Sequence, residues 1–76
     1  MNNISIDFFM SHIHYAGDIV PPQAHTCYEI VYYITGTGNT VLQDTRYKIA
    51  PNTFTVISPL TTHSEEYTTK SDLIFI

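Results

Sequence analysis

An all-β fold is what this sequence predicts: a small antiparallel barrel of about eight short strands with no substantial helix. Three observations carry the reading. Runs of β-branched and aromatic residues recur, punctuated by Gly, Pro, Asn or Asp every ~8–12 residues. No window keeps its apolar residues at a helical period. Tyr and Thr, which suit pleated half-buried surfaces, are abundant, with six tyrosines in 76 residues.

The elements follow in order. ISIDFFM (Ile4 to Met10) alternates and then turns apolar, and HIHYA alternates again. VPPQ is expected to break regular structure, because Pro21 and Pro22 lack N–H donors and Pro22 holds Pro21 extended. Tyr28 to Thr35 is the strongest strand, β-branched or aromatic almost throughout. ITGTGNT comes next. Gly36 and Gly38 can both take positive φ, so a hairpin is expected, with TVLQ pairing back. DTRYKIA gives a short turn and a strand, and Pro51-Asn52 marks another turn. FTVIS is a strand closed by Pro59. TTHSEEYTT and DLIFI are the last two, with Lys70-Ser71 between them.

At 76 residues the chain is one domain with a thin core. Cys27 is the single cysteine, so no internal disulfide forms, which suits a reducing cytoplasm. By default such a thiol is a small buried hydrophobe. The opening residues lack a basic segment followed by an apolar one, as a secretory signal would have. The apolar runs are too short to span a membrane, and a cytoplasmic location with no membrane partner is expected. Net charge is −4, and Arg46, Lys48 and Lys70 are the only basic residues. Phosphate neutralisation dominates nucleic-acid affinity, so residues 1–76 alone are a poor DNA or RNA binder. The chain stops inside the apolar stretch LIFI, and the natural protein is expected to be longer.

Chemistry concentrates in QAHTCYE, Gln23 to Glu29. If residues 23 to 33 run extended, Gln23, His25, Cys27, Glu29, Val31 and Tyr33 share one face. Glu29 beside Val31 and Tyr33 then needs water or a partner, and His25 is a candidate. Cys27 between them could pair with a histidine as a nucleophile, but no orienting third group is evident. Tyr33 is the first tyrosine expected at a pocket, by parity with Glu29, and Tyr15 the second. Tyr28, Ile30, Tyr32 and Ile34 face outward and need cover, which predicts self-association. His63 follows a turn proline, where it either hydrogen-bonds backbone or contacts a ligand. His12 and His14 read as packed or surface residues, with a second site as the alternative.

The order PPQAHTCYEIVYYITGTGNTVLQ…YKIAPNTFTVISPLTTH resembles the sensor domain of AraC-type transcription regulators, a cupin fold of jelly-roll type. His25 corresponds to the second histidine of the family's His-x-His, Glu29 to its glutamate, and Gly36 and Gly38 to its glycines. Tyr47, Pro51, Pro59 and His63 complete the pattern. Gln23 replaces the first histidine, and Asn52-Thr53 replaces Gly-Asp, although asparagine still tolerates a left-handed turn. The resemblance implies an effector-sensing, dimerising domain without a cofactor. A small polar effector, such as a sugar, would contact His25, Glu29, Tyr33 and His63, with Tyr15 nearby. DNA would be reached only through an absent C-terminal domain. The rival reading is a metal-dependent cupin enzyme, of dioxygenase or isomerase type, with His25, Glu29 and His63 as ligands. Gln23 counts against it, since an amide is a poor substitute for imidazole at a redox metal. A third reading is an interaction domain with a filled barrel and no ligand.

Overall fold

The computed structural model describes residues 10–76. Among them eight strands form and no helix: β1 (Met10–His14), β2 (Ile19–Gln23), β3 (Glu29–Tyr33), β4 (Gly38–Leu42), β5 (Thr45–Ile49), β6 (Thr53–Ile57), β7 (His63–Tyr67) and β8 (Ser71–Phe75). They build two four-stranded sheets, ordered β1-β8-β3-β6 and β2-β7-β4-β5. Every pairing is antiparallel. The expected strand from Ile4, with Phe8 and Phe9, lies outside the described residues apart from Met10.

The count of eight agrees with expectation, but one member differs. VPPQ does not break the structure: Pro21 and Pro22 lie inside β2. The reason is position. β2 pairs only with β7 and forms one edge of its sheet, and its register slips between Val20 and Gln23. Proline is tolerated where no ladder hydrogen bond is asked of it.

The expected β3–β4 hairpin does not form either. Both edges of β3 are taken, by β6 and β8, while β4 pairs with β5 and β7 in the other sheet. The glycine-rich turn therefore carries the chain across from one sheet to the other. Its two glycines serve different needs. Gly36 has φ +100°, as expected, but Gly38 does not have positive φ. A Cβ on Gly38 would collide with the Glu66 carbonyl oxygen on β7. Asn52 takes the left-handed conformation, φ 60°. Its N–H donates to Tyr33 O at 2.8 Å, and its side-chain oxygen accepts from the Tyr32 hydroxyl at 3.0 Å.

Alternation sorts the side chains. Val31 and Tyr33 point inward to meet Ile49, Ile57, Tyr67 and Leu73, which together form the buried core. Val20, Leu42 and Phe75 pack against its margin. The opposite face of β3 looks outward, where Ile30 lies beside Val56 and Tyr32 between Phe54 and Ile74. Tyr28 is 70% exposed and Phe54 65%. No helix among the described residues is long and apolar enough to cross a membrane.

Candidate functional site

Residues far apart in sequence meet where β3 and β7 begin. Glu29 is the first residue of β3 and His63 the first of β7, paired in register with Gln23 at the end of β2. His25 arrives differently from expectation. Residues 24–28 leave the extended conformation and bend, so strict alternation from Gln23 does not hold there. The bend is fixed by the Leu60 N–H, which donates to His25 O at 2.7 Å.

His25, Glu29 and His63 each offer one atom to a group lying within 4.8 Å of one another. His25 Nε2 is 3.6 Å from Glu29 Oε2, and His63 Nε2 is 3.9 Å from the same oxygen. The two imidazole centroids are 5.2 Å apart. Exposure is graded across the group: the His25 side chain is 46% exposed, that of Glu29 22% and that of His63 not at all.

His63 is the informative member. Its Nδ1 lies 3.2 Å from Thr61 O. A carbonyl oxygen can only accept, so Nδ1 carries the proton, and in the neutral ring Nε2 is a bare acceptor. That Nε2 is buried and has no hydrogen-bond partner. Buried polar atoms are nearly always paired, so an unpaired one facing two other polar groups calls for a partner, whether a water, an ion or a ligand.

Deeper in, Tyr33 is fully buried and its hydroxyl meets Thr55 Oγ1 at 3.1 Å. Burial pushes its phenol up to about 12, partly offset by the Thr55 hydrogen bond. Glu65 follows His63 on the same face of β7 and is also buried. Burial raises its carboxyl above the ordinary value, against a lowering hydrogen bond from the Tyr67 hydroxyl. The Tyr67 phenol is itself pushed well up, first by burial and then by the Glu65 charge.

The other residues singled out in the sequence lie elsewhere. Tyr15 is 58% exposed in the β1–β2 turn, where its backbone N–H donates to Asp18 Oδ2 at 2.8 Å. Gln23 is exposed. Cys27 is exposed rather than buried, because the bend at residues 26–27 turns it out of the sheet. His14 packs on Tyr67 and bonds Asp18, while His12 is exposed and meets His14 edge-on. Three contributors escaped the sequence reading. Leu60 and Thr61 act through backbone atoms, which carry no side-chain signal. Glu65 was accessible by parity, two residues from His63 and two from Tyr67.

The donor set suits a divalent transition metal: two imidazoles, a carboxylate, and an Nδ1–H anchored on a carbonyl. The third side is at most 4.8 Å, so the point equidistant from the three atoms lies at most about 2.4 Å from each, close to the bonds of about 2.0–2.2 Å that zinc makes to nitrogen and oxygen. His25, Glu29 and His63 are the residues that would hold such an ion.

Fold and site together define a cupin-type domain with a polar cluster where its strands begin. The family model of the AraC-like ligand binding domain matches residues 5–73, and the chain belongs to that family. Among curated proteins no sequence matches this chain. Solved structures share the fold. Salicylate 1,2-dioxygenase from Pseudaminobacter salicylatoxidans superposes with a TM-score of 0.84 at 18% identity, over 88% of this chain and 19% of that one. The same enzyme with gentisate adducts gives a TM-score of 0.83, also at 18% identity, over 88% of this chain and 18% of that one. A predicted oxalate decarboxylase from Thermotoga maritima gives 0.80 at 20% identity, over 88% of this chain and 61% of that one. The chain spans about a fifth of the length of the dioxygenase.

Proposed function

We propose that this domain is the effector-sensing part of an AraC-type transcription regulator, and that a small polar molecule binds at His25, Glu29 and His63. The observation that carries the reading is the buried, unpartnered Nε2 of His63 facing Glu29, in a chain of the AraC-like ligand binding family. Tyr33 is buried on the same face of β3 as Glu29, and Tyr15, exposed in the β1–β2 turn, contributes at most at the periphery. The domain works in the cytoplasm as a homodimer, and DNA is contacted by a part of the regulator outside residues 1–76. Sensing requires that the effector bind one arrangement of the regulator better than another.

The enzyme reading draws on the dioxygenase and decarboxylase folds, but those likenesses fall at 18–20% identity and speak to fold alone. It also needs a bound metal, with Gln23 in place of the first of three histidines, and an amide is a poor substitute for imidazole at a redox metal. The sensing reading needs neither.

Backbone 1H–15N spectra of the protein, titrated with a panel of small polar compounds, test it. Saturable shifts confined to residues 25–33 and 58–65, abolished in His63→Ala, are expected. Shifts that survive His63→Ala unchanged would place the ligand elsewhere and defeat the assignment.

A further inference from the structure

Each sheet has two outer strands: β1 and β6 in one, β2 and β5 in the other. An outer strand offers a row of unpaired N–H and C=O groups, a template for another chain, unless something blunts it. β2 is blunted by Pro21 and Pro22 and by a slip in register. β5 carries Arg46 and Lys48, and β1 carries the ionisable rings of His12 and His14. β6 reads TFTVI, with no charge, no proline and no slip in its register with β3. Among the described residues no strand pairs with its far side.

The pairing on the other side of β3 assigns the open groups of β6. Ile30 exchanges both main-chain bonds with Ile76, at 3.1 and 2.9 Å, and the Ile34 N–H donates to Asp72 O at 2.8 Å. The even-numbered residues of β3 therefore turn their main-chain groups towards β8. Glu29, Val31 and Tyr33 turn theirs towards β6, where Ile57, Thr55 and Thr53 lie opposite. Phe54 and Val56 are left with N–H and C=O directed away from the sheet. Their side chains, 65% and 48% exposed, stand on its outer face.

A dyad through Thr55 makes this edge complementary to itself. When β6 runs antiparallel to a second β6, Phe54 of each copy lies opposite Val56 of the other, and each such pair exchanges both bonds. Every open donor of one edge then meets an open acceptor of the other. The two side chains meet on the outer face, where an aromatic beside a β-branched residue is a favourable cross-strand pair. No like charges oppose the approach, because β6 is uncharged and its outward neighbours on β3 are Ile30 and Tyr32.

Deepening the homodimer of the sensing role argued above, we propose that two copies pair through β6, centred on Thr55, so that two four-stranded sheets join into one. This interface borders the effector site. Ile57 pairs with Glu29, and β6 runs on into the segment whose Leu60 N–H and Thr61 carbonyl meet His25 and His63.

Cysteine pairing reads the register. Thr55 faces its own copy across the dyad, with Cα atoms about 4.5 Å apart, within reach of a disulfide. Phe54 and Val56 face one another, and each lies about 7–8 Å from its own copy, too far to bridge. In a Cys27→Ser background, Thr55→Cys is expected to form an intermolecular disulfide on mild oxidation. Phe54→Cys and Val56→Cys, although more exposed, are expected to form little. The reverse order, which chance collision of exposed thiols produces, would overturn the pairing.

Val56→Pro removes a donor that only the second copy uses, and proline is tolerated where its N–H would face away from the sheet. By symmetry both copies lose a bond, so dimerisation measured by sedimentation equilibrium is expected to weaken at least about tenfold. The far-UV circular dichroism is expected to stay unchanged. Val56→Ala, which keeps the N–H, is expected to weaken dimerisation less. The cysteine series decides the matter if the proline variant does not fold. A dimer indifferent to Val56→Pro and unlinked by Thr55→Cys would overturn the β6 pairing and leave a homodimer joined elsewhere. A monomer at every concentration would overturn both.

Discussion

The imidazole of His14 lies flat on the ring of Tyr67, centroids 4.3 Å apart and planes 13° from parallel, while the Tyr67 hydroxyl donates to Glu65 on its own strand. Three polar side chains from two sheets are thus stacked and bonded within the barrel. Their burial makes the stability of the fold sensitive to pH and to single atoms.

Burial holds the Glu65 carboxyl above its ordinary value of 4.5 in the folded state. Above 4.5 the folded chain then keeps a proton that the unfolded chain has lost, so stability falls as pH rises through this window. Glu65→Gln keeps an acceptor for Tyr67 and cannot ionise. The stability of the variant relative to wild type is expected to increase from pH 4 to pH 7. Urea denaturation at several pH values checks this, and parallel curves for the two proteins would contradict it.

Tyr67→Phe removes the donor to a buried carboxyl, whereas Tyr33→Phe removes a bond to a hydroxyl. Leaving a buried polar group unsatisfied costs about 1–3 kcal/mol, more if it is charged, and losing a neutral hydrogen-bonded pair about 1 kcal/mol. At pH 7 the Tyr67 variant is expected to be the less stable of the two. Calorimetric melting of both proteins decides the order.

Gly17, Gly36 and Gly38 give a graded series. Gly17 has φ +91° with open space around it, so Gly17→Ala costs only backbone strain of about 1 kcal/mol. Gly38→Ala pushes a methyl into the Glu66 carbonyl, a rigid obstacle, at a cost of about 1–3 kcal/mol or more. Gly36→Ala combines φ +100° with a collision against Ser71 and is expected to be the worst. Chemical denaturation of the three variants should rank them in that order.

The outward stripe of Tyr28, Phe54 and Val56 is apolar and exposed. Contiguous surfaces of this kind drive association. Sedimentation velocity is expected to show concentration-dependent association, reduced in Phe54→Lys, whose position on the outer face leaves the core untouched. An unchanged sedimentation profile in the variant would remove this face from the interface.

Much of the architecture was legible because β-structure writes itself with period two. Val31 and Tyr33 going inward while Tyr32 goes outward could be read from the letters. Strand partners could not. The glycines after β3 look like a hairpin locally, yet β6 and β8 claim both edges of β3 through contacts remote in sequence. Pro21 and Pro22 mislead for a related reason, since edge position is a property of the whole sheet. At the site, His25, Glu29 and His63 were named from residue type and family pattern, but the route differs. His25 reaches Glu29 through a bend that alternation does not describe, and the same bend exposes Cys27.

The short segment between β6 and β7 ties the two histidines together. Leu60, held at φ 63°, grips the main chain of His25, and its neighbour Thr61 grips the ring of His63. One short segment therefore sets the spacing of both imidazoles across from Glu29. A substitution at Leu60 that disturbs its left-handed backbone would alter the distance between the two rings while leaving His25, Glu29 and His63 themselves unchanged.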